Sequence, residues 1–485
     1  MGRKRKRRYI EPFDMKIESL GKKGMGIGIA PDGKPVYVKP APPGATIKVA
    51  PHGYRKGKWK GRRLEMVEKP EAWEEPSCKL FGLCGGCTLQ ELELAAQREA
   101  KLQYALKEIA SGMDLSKQEL LESVHLHPLR GAKEGYRYRN KVEFSFGTSR
   151  FLSQEKMEAG EPIDGRFLGF HAPGRFDRIV DSDHCWLISD ASNLLLTCAR
   201  EHTLKEELPM PWNPKEHTGF WRHLMLREGF ATGDHMVVLY TASAETAKQR
   251  EAVQRLADAL MAQDLPEGHT LKGFVWIEND KISDVAQGDV TQVWGQDWFE
   301  EKLGDIRYRL SYRSFFQTST KGAVILYDTI AESLKGASGR LYDLYCGIGS
   351  IGLYMAKDFE EIVGVEEIPE AVEDAKHNAA LNNIQKAEYF AAKMENTLSV
   401  LPDNLDTMAL LVDPPRSGLH PKVARTLACS PGDLLVYVAC HPGSLGRDAA
   451  ILATGGWQMT DLWSVDLFPQ TGHIEMVGRF VRKSS

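Results

Sequence analysis

No apolar run in this chain of 485 residues approaches the roughly 18 residues that a membrane-spanning helix needs. The basic start, MGRKRKRRYIEPFD, lacks the apolar stretch of a secretory signal. A disulfide framework is lacking as well: eight cysteines, four of them scattered, suit a reducing cytosol. Charge of one sign is not in excess, with 62 Lys and Arg against 66 Asp and Glu. What remains is an ordinary globular composition, 42% hydrophobic and 26% charged, in a chain long enough for about three domains. The distribution of charge says more than its sum, because basic residues cluster at the amino end.

Arg3 to Arg8 form an unbroken basic block, a solvated tail by default and a phosphate-seeking arm if RNA is the partner. Short strand patterns follow at Met15–Leu20, Met25–Ile29, Pro35–Lys39, Thr46–Val49 and Leu64–Val67, separated by Gly, Pro and Asp turns. That spacing predicts a small antiparallel barrel. Between its last strands lies YRKGKWKGRR, where Arg55, Lys56, Lys58, Lys60, Arg62 and Arg63 surround Tyr54 and Trp59. A solvated hairpin is the plain reading. Cations mixed with rings also suit single-stranded RNA, with charge for phosphates and rings for bases.

Next comes CKLFGLCGGC, with Cys78, Cys84 and Cys87 and two glycines freeing the backbone. Thiols this close point to a metal or cluster site, and Cys185 in DSDHC is the best-placed fourth ligand. Spacing does not separate zinc from iron–sulfur, but it differs from the C-x3-C-x2-C loop of radical enzymes. Leu89–Ala110 reads as an amphipathic helix, with Leu92, Ala96, Leu102 and Leu106 on one stripe. From Tyr136 to about Val293 strand patterns dominate, interrupted by a long helix at Ala244–Gln263. Tyr138, Arg139 and Lys141 are candidate RNA contacts there, although such strand residues are more often merely exposed.

From about Leu303 strands and helices alternate, the mark of a mostly parallel sheet. RLYDLYCGIGSIGLYMA carries Gly347, Gly349 and Gly352, a formal dinucleotide fingerprint and a weak signal alone. Asp343, just before the loop, would repel a pyrophosphate and attract an ammonium. S-adenosylmethionine fits that demand, and Glu366 ends the next strand where ribose-binding acids sit. A later strand ends in Asp413-Pro414-Pro415-Arg416. Amino-group methyltransferases carry an aromatic where Arg416 stands, which disfavours a nitrogen target. Methylating carbon 5 of uracil needs a thiolate to add at carbon 6 and a base to remove the carbon 5 proton. Cys440, at the end of LLVYVAC, supplies the thiol, and Glu475, entering the last strand, supplies the acid. Alone, Cys440 reads as a small core hydrophobe and Glu475 as an exposed strand carboxylate. Together they support one chemistry.

In order, SFFQTS, LYDLYCGIGSIG, VDPPRSGLHP, VYVACHPGSLGRD and DLFPQTGHIE resemble the RNA 5-methyluridine methyltransferase family, and the resemblance covers nearly the whole chain. It implies a multidomain fold: a basic tail at 1–9, a small OB-like TRAM β-barrel at 10–69, a central α+β domain at 70–302 and a Rossmann-like class I methyltransferase domain at 303–485. The helix at 89–110 is expected to pack on the catalytic domain. The resemblance also implies that Cys78, Cys84, Cys87 and Cys185 bind a [4Fe-4S] cluster, as in the ribosomal-RNA branch. The transfer-RNA branch is expected to lack both barrel and cluster.

By the same resemblance Cys440 is the nucleophile and Glu475 the base. Gln317, Tyr345, Gly347, Ser350, Glu366, Lys393 and Asp413 are the S-adenosylmethionine contacts. The chain departs from the family in three places: His441 and Ser319 stand where asparagine is usual, and Lys393 where some members have an acid or amide. His441 retains a hydrogen-bond donor whose charge varies with pH. The expected activity is methylation of uracil carbon 5 in large-subunit (23S-type) ribosomal RNA, by a cytoplasmic monomer needing neither membrane nor protein partner. The alternatives are a related RNA methyltransferase with a shifted target, or a ribosome-assembly factor without activity.

Overall fold

The computed structural model describes residues 10–282, 286–397, 408–430 and 432–482, so the basic block Arg3–Arg8 lies outside them. Alternation of buried and exposed residues builds the first sheet from Phe13–Lys16, Ser19–Gly21, Met25–Ile29, Pro35–Val38, Thr46–Arg55 and Lys58–Glu68. The first two strands in sequence lie at opposite ends of the sheet order, so the sheet curls into a barrel-like unit around Met15, Ile17, Val36, Val38, Ile47 and Val49. The last two strands are longer than the sequence suggests. They run through the basic stretch and turn at Lys56-Gly57, both in left-handed backbone.

A seven-stranded sheet follows, in the order Ile179–Asp181, Asp164–His171, Lys141–Ser149, Trp221–Gly229, Asp234–Thr241, Thr270–Glu278 and Asp289–Gly295. Its one parallel pair, Asp234–Thr241 with Thr270–Glu278, needs a crossover, which the helix Ala247–Met261 provides. A second helix, Asp190–Thr203, packs beside it, capped by Ser189. The hairpin Trp298–Leu303 and Ile306–Ser311 joins this sheet to the next: Phe299, Leu303, Tyr308 and Leu310 lie in one apolar core with Met225, Val238, Leu326 and Leu341. The expected boundary at 302/303 therefore falls inside a hairpin that belongs to both cores.

The C-terminal sheet runs Ala387–Ala391, Glu361–Glu366, Arg340–Leu344, Met408–Val412, Leu434–Ala439, Glu475–Arg482 and Trp457–Asp466. The first five strands are parallel and Glu475–Arg482 is antiparallel to both neighbours. Apolar clusters cover both faces, as a parallel sheet requires. Two short strands from far upstream, His125–Leu126 and Arg130–Gly131, extend its edge. The helix expected from residue 89 begins five residues later, at Leu94–Gly112, and packs against Pro442–Ala453.

That helix also grips the loop Leu467–Ile474, which leads into Glu475. Lys101 Nζ, fully buried, donates to Asp466 Oδ1 at 2.7 Å and to the Phe468 carbonyl at 3.0 Å. Gln97 and Gln470 exchange two hydrogen bonds at 2.8 and 2.9 Å. Thr88 and Leu89, just past the third cysteine, donate backbone hydrogen bonds to the Gln470 carbonyl. The barrel reaches the same loop: a methyl group on Gly472 would overlap the Gly24 backbone.

Stranding one charge of a buried ion pair costs about 3–5 kcal/mol, and here Arg98 Nε, 3.3 Å from Asp466 Oδ2, retains part of the pairing. Lys101→Met is therefore expected to lower stability by less than that amount, read as a drop in the urea midpoint, and Lys101→Met with Arg98→Met by more than either alone. An unchanged midpoint in the double variant would contradict the role of Asp466 as the anchor.

Candidate active site

The carboxyl ends of the parallel strands and the amino end of the antiparallel one share a single edge of the sheet. Ala439 pairs with Met476, so one further step of the register sets Cys440 alongside Glu475. Their electrostatics bear this out. The Cys440 thiol is pushed up to about 11, first by burial, then by the negative charges of Glu475 and Asp413. Arg416 opposes this with its charge and a side-chain hydrogen bond. Burial pushes the Glu475 carboxyl well above the usual range; Asp413 adds to the shift and Arg416 opposes it. Asp413 itself is pushed up to about 7 by burial. Two acids and a thiol thus crowd one guanidinium.

The sequence pattern marks Arg416 only by the aromatic it replaces, and it does not mark His473. Arg416 Nη2 donates to His473 Nδ1 at 2.8 Å. Burial first, then Arg416, lowers the His473 imidazole to about 4, so at neutral pH it is an uncharged acceptor. The spacing His-x-Glu before the last strand was the available signal, but it does not reveal that the ring meets Arg416 across 57 residues.

Beneath the glycine turn, Asp343 Oδ2 accepts the Gly352 amide at 2.9 Å, while Oδ1 is buried without a partner. Burial pushes this carboxyl up to about 7. Tyr345 and Gly347 both have positive φ, and a Cβ at Gly347 would meet nothing within 4 Å. Glu366 Oε2 accepts the Gly347 amide at 3.1 Å, and Oε1 accepts the amides of Glu367 and Ile368. Ser350 Oγ accepts from the Tyr327 hydroxyl at 2.9 Å. Gln317 is half-buried in the loop before the helix Thr320–Ser333, its carbonyl held by Asn140. Lys393 is exposed, 3.9 Å from Glu367 Oε1 at the rim. An unpartnered buried carboxylate oxygen and open space over a glycine turn fit a ligand bearing an ammonium group.

Two of the departures from the family share one physical explanation. Ser319 is the N-cap of Thr320–Ser333, its Oγ accepting the Gly322 amide at 3.2 Å. His441 is the N-cap of Pro442–Ala453, its Nδ1 accepting the Ser444 amide at 3.2 Å. Asparagine is a favoured cap, and serine and an uncharged imidazole do the same work. With Nδ1 accepting, the neutral ring carries its proton on Nε2, which leaves His441 the donor the sequence suggests.

Cys78, Cys84, Cys87 and Cys185 are all free thiols within electrostatic reach of one another. Burial raises all four, Cys84 to about 11 and Cys87 to about 12. Donors aim at the sulfurs: the amides of Leu80 and Phe81 at Cys78, Gly86 at Cys84, Leu187 and Ile188 at Cys185, and the Gln90 side chain at Cys87. Such donors compensate thiolate ligands.

The candidate RNA contacts need correction. Trp59 is 2% exposed in the barrel core, where its indole donates to Asp32 and Tyr54 packs edge-on at 4.8 Å. Tyr138 is buried and donates to the Pro469 carbonyl at 2.9 Å, another hold on the loop before Glu475. Arg63 is paired with Glu91. Arg55, Lys56, Lys58, Lys60 and Arg62 remain exposed, so the patch carries charge without the tryptophan.

A parallel sheet in this strand order, with a glycine turn and acids at its edge, defines a class I methyltransferase. The tRNA (uracil-5-)-methyltransferase family model matches residues 282–484. An RNA methyltransferase of Chlorobaculum tepidum is 33% identical over 474 residues, covering 96% of this chain and 94% of that one. One of Clostridium acetobutylicum is 32% identical over 478 residues, covering 98% and 99%. The crystal structure of the Pyrococcus abyssi tRNA (uracil-54, C5)-methyltransferase with S-adenosyl-L-homocysteine shares the fold, at a TM-score of 0.71 and 24% identity, covering 97% of this chain and 100% of that one. The chain belongs to the RNA (uracil-5-)-methyltransferase family, whose members are S-adenosylmethionine-dependent enzymes. A tRNA enzyme shares the fold over 97% of this chain, so the N-terminal barrel does not by itself mark the ribosomal branch.

With its thiol raised to about 11, Cys440 is mostly protonated at neutral pH, and its thiolate fraction grows about tenfold per pH unit below that value. Iodoacetamide labelling of the Cys440 peptide should therefore accelerate from pH 7 to pH 10. Because Arg416 favours the thiolate, Arg416→Gln should shift the profile upward and slow labelling at pH 8 by roughly threefold to tenfold, the exposed guanidinium being partly screened. A downward shift would contradict the arrangement.

Proposed function

We propose that this enzyme methylates carbon 5 of a uracil in large-subunit ribosomal RNA through a covalent bond between Cys440 and carbon 6. The observation that carries this reading is the meeting of Cys440 and Glu475 at the sheet edge, with Asp413 and Arg416 as their charged neighbours. The Cys440 thiolate adds to carbon 6, and the displaced electron pair makes carbon 5 nucleophilic. S-adenosylmethionine supplies the electrophilic methyl group. Glu475 then takes the carbon 5 proton; the C–H electrons restore the double bond as the C–S bond breaks. A carboxyl with a raised pKa is a stronger base than an exposed one, which suits that role. Arg416 favours the thiolate, and His473 holds the guanidinium in position.

Gln317, Tyr345, Gly347, Ser350, Glu366 and Asp413 hold the methyl donor in this proposal, with Lys393 at the rim. The partner-free Asp343 oxygen and the space over Gly347 support it. Cys78, Cys84, Cys87 and Cys185 hold a [4Fe-4S] cluster, supported by the converging thiols and their donors. Its role is structural: the segment bearing it fixes Gln470 through Thr88 and Leu89. The enzyme acts in the cytoplasm as a monomer without a protein partner. A transfer-RNA target is the second reading, favoured by the full-length fold shared with the Pyrococcus abyssi enzyme.

Purified protein, labelled S-adenosylmethionine and unmodified RNA test the target. Label at carbon 5 of large-subunit rRNA, abolished by Cys440→Ala, is the expected result; label on tRNA alone supports the second reading. For the cluster, anaerobic purification should give about four irons per chain and broad visible absorption. Stoichiometric zinc would contradict it.

A further inference from the structure

The central sheet holds a second cluster of ligating side chains, which the methyl-transfer chemistry does not use. In the antiparallel pair Trp221–Gly229 and Asp234–Thr241, Glu228 stands directly opposite His235, so their side chains share one face. His269 enters from the turn just before Thr270–Glu278. His235 Nε2 and His269 Nδ1 are 2.8 Å apart, and Glu228 Oε1 lies 3.9 Å from the first and 4.0 Å from the second. The circle through three points so separated has a radius of about 2.1 Å, the length of a zinc–nitrogen or zinc–oxygen bond.

The carboxylate is built to present that oxygen. Glu228 Oε2 accepts the hydroxyls of Ser189 at 2.6 Å and Ser192 at 2.9 Å, which fix its orientation, as outer hydrogen bonds do for ligating carboxylates. Oε1 is buried with no hydrogen-bond partner. Glu228 and His235 are 2% and 0% exposed, whereas the His269 side chain is 28% exposed and offers a route from solvent. A carboxylate oxygen left unpaired at this depth beside two imidazoles lacks the partner that burial normally requires, and a cation supplies it.

We infer that Glu228, His235 and His269 form a site for a divalent cation of the zinc class, with water completing the coordination. Two imidazoles and one carboxylate are a borderline-soft donor set, suited to Zn2+ or Co2+ rather than to Mg2+ or Ca2+. The ion ties the helix capped by Ser189 to three neighbouring strands. It is distinct from the cysteine site in donors and position, so cobalt distinguishes the two: nitrogen and oxygen ligands give visible d–d bands without the near-ultraviolet thiolate charge-transfer band.

The test is equilibrium dialysis of the full-length protein, its cysteine site intact, against Co2+ after removal of adventitious metal. Wild type should take up one equivalent more than His269→Ala, and the difference spectrum should show d–d bands alone. Glu228→Gln should weaken that uptake at least tenfold. His269→Gln, which keeps the volume of the side chain, guards against loss of fold, with iron content as the control. Equal uptake by wild type and both His269 variants would overturn the inference, as would a thiolate band in the difference spectrum.

Discussion

The approach of Glu475 to Cys440 depends on how the loop Leu467–Ile474 is held, and the buried Lys101–Asp466 pair is the anchor of that hold. Asp466 closes the strand Trp457–Asp466; nine residues later the chain must return antiparallel with its acid at the strand's first position. A loop of that length has many conformations, and only outside contacts select one. The contacts come from every other part of the chain: Lys101 and Gln97 from the first helix, Thr88 and Leu89 from the cysteine segment, Tyr138 from the central domain and Gly24 from the barrel. The upstream segments thus help to set Glu475 beside Cys440.

The electrostatics of the site follow from that enclosure. Burial makes ionisation of Cys440, Glu475 and Asp413 costly; the charges of Glu475 and Asp413 raise Cys440 further, and that of Asp413 raises Glu475. One guanidinium, braced by an uncharged His473, offsets part of this. A site so arranged does not carry three negative charges at once, and at neutral pH the Cys440 thiol stays mostly protonated until a charge nearby is removed or offset.

Much of the site was legible because parallel strands end at one edge, so motifs far apart in sequence converge once the strand order is known. The glycine turn, Glu366, Asp413, Cys440 and Glu475 were read this way. What escaped the sequence was long-range. A lysine on a helix reads as solvent-facing, and nothing local marks Lys101 as the partner of a residue 365 positions later. Trp59 and Tyr138 sit among basic residues and read as RNA contacts, yet each fills a core whose other wall lies elsewhere in sequence. The departures at Ser319 and His441 fall on residues that cap helices, a role visible only in the backbone.

The proposed chemistry at the sheet edge does not depend on which RNA is bound. Its most direct test is Glu475→Gln incubated with S-adenosylmethionine and unmodified ribosomal RNA. If Glu475 is the base, methyl transfer proceeds, the carbon 5 proton stays, and a covalent RNA–protein adduct through Cys440 survives denaturation. Normal turnover with no adduct would contradict the role of Glu475 and, with it, the pairing on which the mechanism rests.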